Sequence, residues 1–145
     1  MFKIVAITAV ICALSIPGLA ADRCDLLAAR IAQKAGMTVE PRTPGNFIPM
    51  TQPDGDYGAY LECKGSRGIT LHAMSPPHPP EQWFRFIAQA ASVLANQDAV
   101  YKAAKKCQAE AEQTADGFAD LRSITCSKDG DNLEVFIPVA PAHGD

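Results

Sequence analysis

The chain has 145 residues, with 13 basic and 16 acidic side chains and a net charge of −3. That length suits one domain with a real hydrophobic core. A mildly acidic balance without a basic run argues against nucleic acid and anionic membrane surfaces as partners.

Met1–Ala20 has the layout of a signal peptide. Lys3 supplies a positive start, Ile4–Ile16 an apolar run, and Pro17-Gly18 a helix break before small residues. The run is too short for a membrane-spanning helix of about 20 apolar residues. Its removal takes away Lys3 and Cys12 and leaves a net charge near −4. Residues 21–145 then form one domain, expected in the periplasm or secreted, with no transmembrane segment.

Cys24, Cys63, Cys107 and Cys126 remain. An even count behind an export signal implies two disulfides in an oxidising compartment. Two stretches share a plan. In Tyr57–Met74 a β-rich run ends at Cys63, a Gly-containing turn follows at Lys64–Gly68, and a second run begins. In Leu121–Ile137 a run ends at Cys126, a turn at Lys128–Asp131 follows, and Leu133, Val135 and Ile137 alternate. Each is preceded by a helical segment with its own cysteine, Cys24 or Cys107. The repeated plan favours Cys24–Cys63 with Cys107–Cys126, each bridge adding roughly 3–4 kcal/mol in the chain-entropy model.

In chain order, Asp22–Ala35 reads as a helix capped by Asp22 and ended by Gly36. Cys24, Leu27, Ala28, Ile31 and Ala35 lie on one face. Thr38–Asp56, rich in Pro, Gly and Asn, reads as a long irregular loop tacked down by Phe47, Ile48 and Met50. The first hairpin follows. Ser75–Pro80, with four prolines, reads as an extended connector. Glu81–Asn96 has the strongest helical stripe, from Trp83 to Leu94. A further helix, Ala99 to about Ala115, starts at an Asp98 cap and stops before Gly117. The second hairpin spans about Phe118–Val139, with a parity change near Arg122–Ser123 that suits a bulge. Pro138–Asp145 reads as a tail. The order predicts an α+β fold: a four-stranded antiparallel sheet with helices on one face, built from two related helix–hairpin halves.

Chemistry is sparse. Met50, His72 and Met74 partly reproduce an M-x21-H-x-M spacing. In this the chain resembles the periplasmic copper chaperones that carry H-x10-M-x21-H-x-M. Their upstream histidine is replaced by Val39, and their cupredoxin-like barrels are all-β. The resemblance implies a copper-binding protein using Met50, His72 and Met74; read bottom-up, the same residues are ordinary sheet positions. No nucleophile elbow, phosphate loop or zinc-protease motif occurs, so a hydrolytic enzyme would lack a recognisable signature. No cofactor is expected. The reading that remains is a non-catalytic module binding a protein or small ligand, of inhibitor, immunity or envelope-accessory type. Its candidate contact residues are Tyr57, Tyr60 and His78, and its partner an envelope or secreted protein.

Overall fold

A computed structural model describes residues 22–64, 68–121 and 123–140. The proposed leader and residues 141–145 lie outside the described residues, as do 65–67 of the first expected turn.

Helix α1 (Arg23–Ala35) begins where expected. The Asp22 carboxylate accepts the Asp25 N–H, and Asp25 returns the bond to the Asp22 N–H, closing a capping box. Gly36 ends the helix at φ 64°, the left-handed conformation that favours glycine. Helix α2 (Glu81–Ala90) passes into a 3-10 turn at Ala91–Val93, shorter than the expected Glu81–Asn96. Helix α3 (Gln97–Ala111) starts earlier than expected because Asn96, not Asp98, caps it through the Ala99 N–H.

The expected four-stranded sheet is corrected to seven antiparallel strands. They are β1 (Thr38–Val39), β2 (Phe47–Thr51), β3 (Gly58–Cys63), β4 (Ile69–Met74), β5 (Phe118–Leu121), β6 (Ile124–Asp129) and β7 (Asn132–Val139). Their order is β1-β2-β3-β4-β7-β6-β5. Two additional strands come from the stretch expected to be a loop. The prolines there hid a strand, yet Ile48 and Met50 face inward opposite Leu61 and Ala59, as strand alternation requires. The third comes from the second hairpin. Leu121 pairs with Ile124, so the parity change marks a chain reversal instead of a bulge; Arg122 itself lies outside the described residues. Strand β7 also takes in Pro138 and Val139, which the sequence assigned to the tail.

The halves are therefore three-stranded meanders, not hairpins. β2-β3-β4 and β5-β6-β7 meet where their last strands, β4 and β7, pair antiparallel. Helix α1 packs on β2 and β3, and α3 on β5 and β6. Disulfides fasten each helix to its own meander: Cys24–Cys63, with Cα atoms 6.2 Å apart, and Cys107–Cys126, at 6.1 Å. This is the pairing the repeated plan favoured. β1 and α2 have no counterpart in the other half.

The core lies between the helices and one face of the sheet. Leu61, Leu71, Leu133 and Val135 meet Ile31, Trp83, Phe84 and Ile87 there, all essentially sealed from water. Trp83 is anchored by its indole N–H, which donates to the Met74 carbonyl at 3.2 Å. No helix among the described residues is long and apolar enough to cross a membrane.

Candidate functional site on the helix-free sheet face

Period-two alternation that sends Leu61, Leu71 and Val135 into the core sends their neighbours to the opposite face, which no described helix covers. Tyr60, His72 and Phe136 are direct cross-strand partners on β3, β4 and β7. Tyr60 stacks on His72 with centroids 4.5 Å apart and 17° between planes. Phe136 meets the other side of His72 edge-on at 4.8 Å, and Phe47 of β2 meets Tyr60 edge-on at 5.5 Å. An aromatic row thus crosses four adjacent strands, each pair stabilising the face by about 0.5–1.5 kcal/mol beyond area burial.

Carboxylates flank the row diagonally. His72 Nε2 lies 3.2 Å from Glu62 Oε2, whose other oxygen takes the Lys64 ammonium at 2.9 Å. His72 Nδ1 lies 3.6 Å from Glu134 Oε1, too far for a hydrogen bond. Glu134 Oε1 instead accepts the Tyr60 hydroxyl at 3.0 Å. Nδ1 is a buried polar side-chain atom with no hydrogen-bond partner among the described residues. Burial, the bond to Glu134 and its charge push the Tyr60 phenol up to about 12. Burial alone would raise Glu62, but bonds and charges from Lys64 and His72 outweigh it, so that carboxyl lies below its ordinary value. Only 7% of His72 is exposed. The cluster is therefore a small second core with little ring surface free for proton transfer to a ligand.

Beside the row the face opens into an apolar groove of about 530 Å³. Phe47, Pro49 and Tyr60 form one flank and Met74 the other, with Gly58 in the floor. Gly58 keeps the floor low: a Cβ there would come within 3.1 Å of the Met50 carbonyl oxygen. Met74 is 48% exposed, an unusual state for a methionine in a central strand.

The structure separates the copper set proposed from sequence. His72 and Met74 share the helix-free face, whereas Met50 is fully buried on the helix side with Ile48 and Leu61. Among the described residues no group of three or more His, Cys, Asp or Glu side chains is arranged to hold a metal. Of the proposed contact residues, Tyr60 lies in the aromatic row. Tyr57 packs against Phe86 of α2, with centroids 5.4 Å apart. His78 sits on the connector, its imidazole 3.8 Å from Asp131. The structure does not bring these three together. Glu134 and Phe136 were not singled out from the sequence; their alternation with Leu133, Val135 and Ile137 was the available signal.

The edges of the sheet are blunted. On the outer strand β5, the Phe118 N–H donates to Asp116 Oδ1, and the Phe118 carbonyl accepts the Thr114 hydroxyl. On the other side β1 is only two residues long. Short or capped edges disfavour strand addition, which leaves the face as the larger available surface.

No family model, curated protein or solved structure matches the chain.

Proposed function

We propose that the protein is an exported, non-catalytic binding module that engages a partner protein through the helix-free sheet face. The observation that carries this reading is the apolar groove beside the aromatic row, with Met74 half exposed at its flank. Aromatic and methionine side chains offer large contact area at modest entropic cost and adapt to a partner's shape. The two disulfides and the cross-strand cluster stiffen the floor, which lowers the ordering cost of association. Export rests on the leader-like Met1–Ala20 and agrees with disulfide use. The burial of His72 between its neighbours favours binding over acid–base catalysis, since a catalytic base must reach the proton it abstracts.

Affinity capture from an envelope extract tests the reading. Mature protein is compared with Met74→Gln on the proposed face and Leu26→Gln on the exposed side of α1. A partner retained by the native chain and by Leu26→Gln, and held about tenfold more weakly by Met74→Gln, supports it. Retention indifferent to Met74→Gln contradicts it.

A further inference from the structure

The groove lies at one end of the sheet, and that end is acidic. Strands β2 and β4 finish there, and β3, β5 and β7 start there. The connections at this end are Gly36–Met37, Gln52–Tyr57, Ser75–Pro80, Glu112–Gly117 and Gly130–Asp131. They carry Asp54, Asp56, Glu112, Asp116 and Asp131, and no lysine or arginine. His78 is the only chargeable nitrogen in them, and it sits beside Asp131. At the groove itself, Thr51 donates to Glu40, and Glu134 lies across from Met74 on β7. Lys34 in the last turn of α1 and Lys128 near the end of β6 are described cations that border this end, Lys128 beside Glu112 and Asp131. At the opposite end of the sheet lie Lys64 after β3, and Arg42 and Arg23 around the Cys24–Cys63 bridge.

Resting on the binding reading above, we infer that the groove's occupant is a cationic amphipathic segment of a partner protein. Its apolar side chains would lie along Phe47, Pro49, Tyr60 and Met74, and its lysines or arginines would face Glu40, Asp54, Asp56 and Glu134. Charge complementarity carries the choice. Anionic lipid is repelled by the same collar. A second copy would set acid against acid. A small molecule needs an enclosing pocket that buries most of its surface, and this groove is open. Most of the collar is solvent-exposed, so its attraction steers association and is screened by salt.

The test uses two synthetic amphipathic peptides of the same pattern, one of leucine and lysine, the other of leucine and glutamate. Binding to the mature disulfide-bonded protein is read by calorimetry at low and high salt. The inference expects the lysine peptide to bind and the glutamate peptide not to bind. Affinity should fall with salt, and about tenfold in an Asp54→Lys/Asp56→Lys variant whose melting temperature is unchanged. Met74→Gln should weaken it as well. Failure of the lysine peptide to bind, equal binding of both peptides, or indifference to the loop reversal overturns the charge inference. If Met74→Gln still weakens retention of a natural partner about tenfold in that case, the face reading stands alone. Lysine-peptide binding indifferent to Met74→Gln sinks both.

Discussion

Tyr60 and His72 stack across β3 and β4 with ring centroids 4.5 Å apart, and the same Tyr60 hydroxyl is tied to Glu134 on β7. One tyrosine thus links both meanders on the face opposite the core. Its phenol is raised from 10.0 to about 12, by burial first and by Glu134 second. A raised folded pKa contributes stability that is complete below about 10 and disappears as pH climbs toward 12. Glu134→Gln keeps an acceptor but removes the charge. Ultraviolet phenolate titration should then show Tyr60 ionising at lower pH, and the alkaline limb of the stability curve should flatten. An unchanged titration would show that Glu134 does not act on Tyr60.

The acid limb has different owners. Hydrogen bonds from Arg42 and the Asp25 N–H hold Asp22 at about 2 instead of 3.8. Glu62 is lowered too, against its burial. Lowered carboxyls contribute stability above their ordinary values that is lost as pH falls through the folded ones. Asp22→Ala should cost about 1 kcal/mol at neutral pH as a lost cap, and should flatten the loss of stability between pH 3.8 and about 2. Chemical denaturation across that range reads both effects.

Each disulfide closes a loop within one half, with sequence separations of 39 and 19. Replacing either pair by alanine should lower stability by roughly 3–4 kcal/mol in urea unfolding, through the freer unfolded chain. Loss of Cys107–Cys126, which is wholly sealed by α3 and β6, should additionally loosen packing there. A non-reducing peptide map should give these two links alone in the mature protein.

Trp83 is the single tryptophan, fully buried and bonded to the Met74 carbonyl beneath the groove. Trp83→Ala should cost about 3–5 kcal/mol. Trp83→Phe should retain most of the packing and lose the bond, costing about 1–3 kcal/mol because the Met74 carbonyl loses that partner. Melting temperatures of the two variants order these effects.

Much of this architecture was legible because local chemistry agreed with the global fold. Asp22 and Gly36 punctuate α1, and a cysteine in each helix facing a cysteine at a strand forecast the bridges. The strand count was not legible. Pro49 interrupts the alternation of Phe47–Thr51, and β1 is too short to leave a pattern. The reversal between Leu121 and Ile124 lacks the glycine or proline that usually marks a turn. The site was hidden for a different reason. Alternation alone puts Glu134 and Phe136 opposite Val135, but only the pairing of β4 with β7 brings them to His72, more than sixty positions earlier in the chain. Sequence spacing grouped Met50 with His72 and Met74, and the pleat of β2 turns Met50 to the other side.

Methionine methyl NMR offers the most direct check on the binding face, because Met74 is half exposed on it while Met50 is sealed behind the same sheet. The mature protein, labelled at its methionine methyls, is titrated with the partner retained from envelope extract. The account expects the Met74 signal to shift or broaden in proportion to complex formed, with Met50 little changed. A complex that leaves Met74 untouched would place recognition elsewhere and contradict it.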